Sequence, residues 1–559
     1  MNRASCLLVS DFNLKTLGAY LANADEEPGF DVVEAPYGHV VPVLLDASLE
    51  CWHPPSARVD CVVVWTRPEA VIPAFKDVLD YKGASAETLN AQVDAYAGQL
   101  TGAASRARMM LVPSWEMPAQ NRGWGLLEGR KAQGMRSALW RMNARLAEKL
   151  DGTPNAFVIP ADRWMRSKSA SSPKLWFTTK TPFANEVFLE AAQEIRAAVA
   201  AQRGQAKKLV IVDLDNTMWG GIVGDLGWES LRLGGHDHAG EAFVEFQRAL
   251  KALTNRGIIL GIVSKNDESV ALEAIEKHPE MVLRKKDFAG YRINWNDKAK
   301  NVSDLTAELR LGLQSVVFLD DNPVERARVR EMLPEVLVPE WPVDPMMYAS
   351  ALQSLRCFDV PSATAEDAAR AAMYTAEKQR DESKGNVGNI DDWLISLEQV
   401  VTVEPLRDDN LARTTQLLNK TNQLNMTTRR MTEPELLAWT NQPDHQLWAF
   451  RVADKFGDSG ITGIVSLTTQ SGEGHIRDFI LSCRVMSRKV EETLLAWVVA
   501  RAREAGLSRL VATFIPTAKN RPTLDVLKRS GFRTDDELTF VWDLKSEYPV
   551  PSCLTLAVR

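Results

Sequence analysis

The sequence predicts a multidomain α/β protein built around a doubly wound parallel sheet. Three observations carry that expectation. Leu209-Val210-Ile211-Val212 is a wholly apolar run, β-branched at three positions, as in a strand buried on both faces. Two later runs, Ile258 to Val263 and Ser315 to Leu319, have the same character. Each of the three ends in polar residues: Asp213-Leu214-Asp215-Asn216-Thr217, Ser264-Lys265-Asn266-Asp267 and Asp320-Asp321-Asn322-Pro323. In a doubly wound sheet such residues meet beyond the carboxyl ends of the strands, where ligands bind.

A buried strand that ends in paired acids calls for something cationic or reactive beside them. Mg²⁺ would supply the charge, because it takes hard oxygen ligands and keeps waters that a substrate phosphate can replace. The plainer alternative is a strand ending in a solvated acidic turn. The order Asp213-x-Asp215-x-Thr217, Ser264, Lys298 and Asp320-Asp321 resembles the four motifs of the haloacid dehalogenase-like (HAD) phosphotransferases. That resemblance implies Asp213 as the nucleophile that forms an aspartyl-phosphate. It implies Asp215 as the acid for the leaving oxygen and the base for the hydrolytic water. Ser264 and Lys298 would hold the phosphoryl oxygens, and Thr217 and Asn266 would contact substrate. Asp213, the backbone carbonyl of Asp215 and Asp320 would coordinate Mg²⁺, with Asp321 as an outer or alternative ligand.

Composition narrows the class. At 559 residues the chain has room for roughly three or four domains. Apolar content of 45% and charged content of 25% are those of an ordinary globular protein. With a net charge of −7 and no basic block, nucleic acid is not an expected partner. The apolar stretches are strand-sized, so no membrane span is expected. The opening Met1 to Ser10 is too short in its apolar part for a signal peptide. Six scattered cysteines without CxxC pairs suggest neither zinc nor a disulfide framework. A cytoplasmic protein is expected.

Residues 1–205 carry strand-like runs at Ala4 to Ser10, Val59 to Trp65, Met109 to Ser114 and Ala156 to Pro160, alternating with helical sequence. The segment Val9-Ser10-Asp11-Phe12-Asn13-Leu14 resembles the start of an SGNH-hydrolase-like domain. Such a hydrolase needs a serine and a base histidine, yet Asp162-Arg163-Trp164 has no histidine after it. Ser10 and Ser114 therefore read as turn or strand-end residues, and the domain as a non-catalytic or binding module. The next domain spans 206–360. Its Gly-rich stretch Met218 to Asp225 would let backbone approach a phosphate, or form a plain hairpin flap; the two are compatible. A helix from Glu241 to Arg256, closed by Gly257, puts Phe243, Phe246, Leu250 and Leu253 on one face. His236 and His238 flank Asp237 and read as a solvated loop rather than a metal site. The short insertion after the first motif leaves no room for a large cap, which suits a large substrate.

Residues 361–395 read as a charged helix and linker, 396–546 as a last domain and 547–559 as a tail. The last domain runs strand, helix, hairpin, strand, helix, strand, helix and ends near Ser530-Gly531-Phe532. It resembles a GNAT-type acyltransferase, an α+β fold, although the loop Arg484 to Val490 lacks the glycine that usually meets the acyl-CoA pyrophosphate. Arg488 and Lys489 remain available for a phosphopantetheine phosphate. Together, the HAD motifs, Asn294 to Lys298, Asn419 to Asn425 and Leu481-Ser482-Cys483-Arg484 resemble the long FkbH-like (HAD-IIIC) proteins over nearly the whole chain. That resemblance implies a bifunctional enzyme. It would take the glyceryl group of 1,3-bisphosphoglycerate, lose its phosphate, and load the acyl unit onto an acyl carrier protein thiol. Cys483 is the candidate to carry the acyl group, at a strand end before a helix N-terminus, with Cys357 a lesser one. Asn422 and Arg484 are the accompanying substrate-binding candidates. Two other readings stay open: a plain phosphohydrolase on a small phosphorylated metabolite, and a GNAT-type acyltransferase with the HAD domain as scaffold.

Overall fold

Three sheets carry the chain. The computed structural model describes residues 3–559 apart from 24–25, 55–57, 118–120, 131–133, 166–169, 363–379, 381–382 and 384–388. The chain divides into two compact units, Met1–Arg203 and Gly204–Arg559.

In the first unit, β1 (Ala4–Ser10), β2 (Phe30–Glu34), β3 (Val59–Trp65), β4 (Ala107–Pro113) and β5 (Ala156–Ile159) form a parallel sheet of order β2-β1-β3-β4-β5. Its apolar runs are long because separate cores cover its two faces, one around Val62 and Leu100 and one around Val63 and Phe188. The edge strand β2 was not legible in the sequence. Of its five residues only Phe30 is buried, so its pattern is weak. Ser10 and Ser114 serve local structure. Ser10 Oγ accepts from Phe12 N, and Ser114 Oγ donates to Glu116 and accepts from Ala161 N.

The second unit opens with β6 (Leu209–Val212), β7 (Ile259–Ser264), β8 (Phe288–Ile293) and β9 (Val316–Leu319), parallel and ordered β8-β7-β6-β9. The three strands read from sequence are all present and fully buried, with β6 central. The edge strand β8 was missed because Tyr291 and Arg292 interrupt its apolar pattern. The helix expected at 241–256 is His238–Thr254, with Phe243, Phe246, Leu250 and Leu253 buried. Asp237 caps it by accepting from Gly240 N and also pairs with Arg232, which explains the solvated His236-Asp237-His238 loop. The Gly-rich stretch is a flap whose Gly220 bridges Arg232.

Two glycines set the depth of the next helix, Lys298–Glu308. A Cβ at Gly290 would lie 2.7 Å from Leu305 Cδ1, and one at Gly261 3.0 Å from Leu305 Cδ2. The helix thus lies against a side-chain-free patch of β7 and β8, with Lys298 in its first turn.

The rest of the unit is a mixed eight-stranded sheet: β10 (Gln399–Pro405), β11 (Leu424–Asn425), β12 (His445–Asp454), β13 (Gly457–Gln470), β14 (Glu473–Leu481), β15 (Arg509–Thr513), β16 (Thr539–Asp543) and β17 (Leu554–Val558). Helix Val490–Glu504 covers one face and helix Asp408–Lys420 the other. Residues 547–559, read from the sequence as a tail, contain β17, which pairs parallel to β10 with Val401 opposite Leu556. Most of the expected linker at 361–395 lies outside the described residues. Within it, helix Ile390–Ser396 begins, and Arg380 is buried against Asp454 at 2.6 Å. β14 pairs with β15 only from Gly474 to Ile476. Beyond that, Leu424 and Asn425 pair with Leu481 and Ile480, and Ile515 N donates to Met426 O.

Gly290→Val should drive Leu305 and the Lys298 helix off the sheet. The expected loss is about 1–3 kcal/mol of unfolding free energy, read by urea denaturation of the full chain.

Candidate functional site

The site forms where β6, β7 and β9 end. One side-chain oxygen from each of Asp213, Asp320 and Asp321 lies within 4.8 Å of the others. Lys298 reaches in from its helix: Nζ lies 3.0 Å from Asp213 Oδ1 and 2.6 Å from Asp320 Oδ2. Asp213, Lys298 and Asp320 are all buried, Asp320 completely. Three carboxylates therefore share one ammonium. Burial pushes the Asp320 carboxyl up to about 7, reinforced by Asp213 and opposed by Lys298. Asp321 is raised by burial and by Asp213. Burial works against the charge on Lys298, but Asp213 and Asp320 outweigh it and the ammonium is held above its ordinary range.

The remaining motif residues shape this centre. Thr217 Oγ1 donates to Asp321 Oδ1 at 3.2 Å and accepts from Asp321 N at 3.1 Å, joining the first and last motifs. Asp215 stands outside the carboxylate cluster. Its Oδ1 accepts from Trp219 Nε1 and Val223 N, and its Oδ2 from Asn266 Nδ2 at 2.8 Å. The Asp215 side chain is thus committed to the flap and the second motif; the metal ligand expected from this residue is its backbone carbonyl. Burial raises its pKa, and Asp213 adds to the rise. Ser264 ends β7 and is buried; its carbonyl accepts from Asn294 N.

Sequence reasoning missed the supports. Arg326 donates to the carbonyls of Asp320 and Asp321 at 2.8 and 2.7 Å and so fixes the loop that presents both acids. Its signal was an arginine one turn into the helix Pro323–Met332, which is otherwise an ordinary charged helix. Tyr348, almost fully buried, donates to Asn216 O at 3.3 Å. It lies far along the chain, with no motif to announce it.

The donor set fits a hard divalent cation. Asp213 Oδ1 is buried and accepts no hydrogen bond, although Lys298 Nζ lies within ion-pair distance. Such an orphaned oxygen, with two more carboxylates beside it, is the environment Mg²⁺ takes. Among the described residues this is the one group of three or more acidic, histidine or cysteine side chains close enough to hold a metal.

Cys483, Arg484 and Asn422 come together elsewhere in the unit. They line a cavity of about 940 Å³. Its wall carries Lys208, Arg310, Arg413, Lys420, Arg488 and Lys519 among others, with no carboxylate among the described lining residues, although Arg488 pairs with the buried Asp454 behind the wall at 3.3 Å. Asn422 Oδ1 accepts from Arg430 Nη2. Cys483 lies in the 3₁₀ turn Cys483–Val485, while the helix begins only at Val490 behind Lys489. The thiol therefore does not sit at the start of the helix along the chain, the position expected from sequence. Cys357 is a poor nucleophile, since burial pushes its thiol up to about 12. Lys208 precedes β6 and Asp213 follows it, so the cavity and the carboxylate centre lie at opposite ends of that strand. At about 3.3 Å per residue the strand separates them by roughly 17 Å.

Comparison with known proteins agrees with the central fold. No protein-family model and no curated protein matches the chain. Among solved structures, the N-terminal part of a Bacteroides fragilis protein, containing a phosphatase domain and complexed with Mg, is similar at 27% identity and a TM-score of 0.58. The match covers 65% of this chain and 95% of the other. An acetyltransferase of the GNAT family from Staphylococcus aureus matches at 11% identity over 26% of this chain and 99% of its own, with a TM-score of 0.21. Spermidine N-acetyltransferase from Vibrio cholerae matches at 14% identity over 26% of this chain and 97% of its own, with a TM-score of 0.22. At these scores neither acetyltransferase bears on this chain. The domain around β6 has a phosphatase-type HAD fold.

Lys298→Ala would leave the buried carboxylates without their ammonium. We expect a loss of about 3–5 kcal/mol in chemical denaturation with EDTA present, partly recovered on adding Mg²⁺.

Proposed function

We propose that this protein is an FkbH-like, Mg²⁺-dependent phosphatase and acyltransferase that transfers a hydroxy-acyl unit from a phosphorylated donor to an acyl carrier protein. The observation that carries the reading is the Asp213–Lys298–Asp320–Asp321 centre, three carboxylates around one ammonium at the end of β6. Asp213, Asp320 and Asp321 would hold Mg²⁺. When bound, it neutralises charge on a phosphoryl group and on the oxygens around it.

The chain's own residues account for the proton and bond changes. A carboxylate oxygen of Asp213 attacks the phosphomonoester phosphorus, and the ester P–O bond breaks. Asp215, whose raised pKa favours its protonated form, gives a proton to the leaving oxygen. It then takes a proton from water, which attacks the aspartyl-phosphate, releases inorganic phosphate and restores Asp213. Lys298 and Ser264 hold the phosphoryl oxygens throughout. Asn266 and Trp219 keep the Asp215 carboxyl aimed, and Thr217 ties Asp321 to the first motif.

Acyl transfer belongs to the second site. The Cys483 thiol attacks the acyl-phosphate carbon, its proton passes to the leaving phosphate, and a thioester forms. The pantetheine thiol of a carrier protein then takes the acyl group, and Cys483 regains its proton. Walls whose described charged residues are all basic suit a phosphorylated donor and a phosphopantetheine arm alike. A donor such as 1,3-bisphosphoglycerate carries two phosphates, one for each chemistry. A three-carbon molecule cannot reach both sites across roughly 17 Å, so the two steps are successive. The N-terminal unit, SGNH-like in sequence, takes no part in either step.

Intact mass of a pantetheinylated carrier protein, after incubation with this enzyme, Mg²⁺ and 1,3-bisphosphoglycerate, tests the reading. A glyceryl adduct is expected. Asp213→Asn should remove that adduct, leaving none or one heavier by a phosphate, and should lower phosphate release from the monoester by at least about a thousandfold. Cys483→Ala should abolish every adduct and spare monoester hydrolysis. Free phosphate without any adduct would leave a phosphohydrolase for this donor.

A further inference from the structure

The first unit holds a cavity of about 320 Å³ that neither proposed step uses. It opens at the carboxyl ends of β3 and β4, beside the point where the sheet order reverses between β1 and β3. Crevices at such points are the usual ligand sites of open parallel sheets. The volume lies at the small end of the range for ligand cavities.

Its walls are aromatic. Trp65, Phe75, Trp176, Phe177 and Phe183 line it, and Phe177 is 76% exposed at its mouth. Trp65 and Phe183 stack with centroids 5.1 Å apart. The cavity's described charged lining residues are Arg67, Glu69 and Glu116. Arg67, a lining cation, is already committed: its Nε lies 2.7 Å from Asp11, its Nη1 3.2 Å from Glu69, and its guanidinium 4.0 Å over the Trp176 ring. Among the described residues Glu116 has no such partner within ion-pair distance. Its Oε1 accepts from Ser114 Oγ at 3.1 Å.

We propose that this cavity binds a small organic cation, an aryl- or alkylammonium ion whose apolar body lies on Trp176, Phe177 and Phe183 and whose ammonium meets Glu116. The aromatic faces attract a cation through their quadrupoles, as Trp176 already does for Arg67. The carboxylate supplies the counter-charge that a desolvated ammonium requires. The ligand in turn supplies the cation that Glu116 lacks. Three groups set the field at Glu116: Ser114 on its own loop, Asp162 from the 3₁₀ turn Ala161–Met165, and Arg136 from the helix Met135–Leu150. Burial is the largest influence and pushes the Glu116 carboxyl up to about 7; Asp162 raises it further, while Ser114 and Arg136 act against the rise. Ammonium binding is therefore weakened below that pH, where Glu116 holds a proton, and full above it. The amine itself stays protonated across the range.

Isothermal titration calorimetry on the full chain tests this with 2-phenylethylamine, its neutral isostere 2-phenylethanol and the anion 3-phenylpropanoate. At about pH 8 the ammonium should bind at least about tenfold tighter than the alcohol, the factor a charge-assisted hydrogen bond supplies. At about pH 6 the advantage should shrink as Glu116 takes up its proton. Glu116→Gln should erase it at both pH values and leave alcohol binding unchanged. Trp176→Ala should weaken amine and alcohol together. Equal binding of amine and alcohol, a preference for the anion, or no binding by any of the three would overturn the proposal. So would a Glu116→Gln protein that keeps the ammonium preference. Should that variant fail to fold, the pH dependence of the unsubstituted chain decides.

Discussion

The ammonium of Lys298, buried between Asp213 and Asp320, is the interaction on which the catalytic half of this protein depends. Desolvating one cation and three carboxylates is costly, and their mutual attraction offsets it only where the geometry is held closely. Much of the surrounding structure does that holding. Gly261 and Gly290 let the Lys298 helix lie deep against the sheet. Arg326 clamps the carbonyls of the two terminal acids. Thr217 joins the first motif to the last by two hydrogen bonds. The centre remains short of positive charge after all of this, which is why its residues suit Mg²⁺ and a phosphoryl group.

The same economy separates Asp213 from Asp215. Both acids leave one strand, yet they have different surroundings. Asp213 faces Lys298 and the other carboxylates, with one oxygen accepting no hydrogen bond. Asp215 accepts from an indole, a backbone N–H and a side-chain amide, which orient it. The strand ends at Val212, so Asp213 and Asp215 do not share a face as they would in a continued strand, and the flap that follows supplies the Asp215 partners Trp219 and Val223. An unsatisfied carboxylate suits attack, and an oriented, raised carboxyl suits proton transfer. Two roles thus come from one dipeptide repeat.

The sequence made some of this plain and hid the rest for physical reasons. The strands β6, β7 and β9 were legible because burial on both faces makes their apolar runs continuous, and Asp213, Ser264, Asp320 and Asp321 follow those runs directly. Lys298 was legible through its motif; its depth was not, because that is set by glycines on other strands. β2, β8 and β17 were hidden because edge strands bury too few residues to leave a clear pattern. Arg326 and Tyr348 act through backbone carbonyls, and a carbonyl contact leaves no trace in residue type at the far end. Cys483 shows the converse. It follows a strand as expected, but the turn Cys483–Val485 and the left-handed Lys489 delay the helix to Val490, so the thiol does not sit at the helix start.

The placement of the second site follows from the architecture of the first. A parallel sheet gathers its ligand chemistry at the carboxyl ends of its strands and leaves the amino ends for packing. The basic cavity uses the otherwise silent end: Lys208 and Ser315, immediately before β6 and β9, form part of its wall, and the helix Asp408–Lys420, the segment after it and the turn after β14 form much of the rest. Two phosphate-handling surfaces on one small sheet would compete for the same substrate if they were adjacent. At opposite ends they do not. The acidic centre needs a cation before it can receive a phosphate; the basic cavity does not, since its own side chains supply the charge. That difference in sign sets the two ends of the sheet apart.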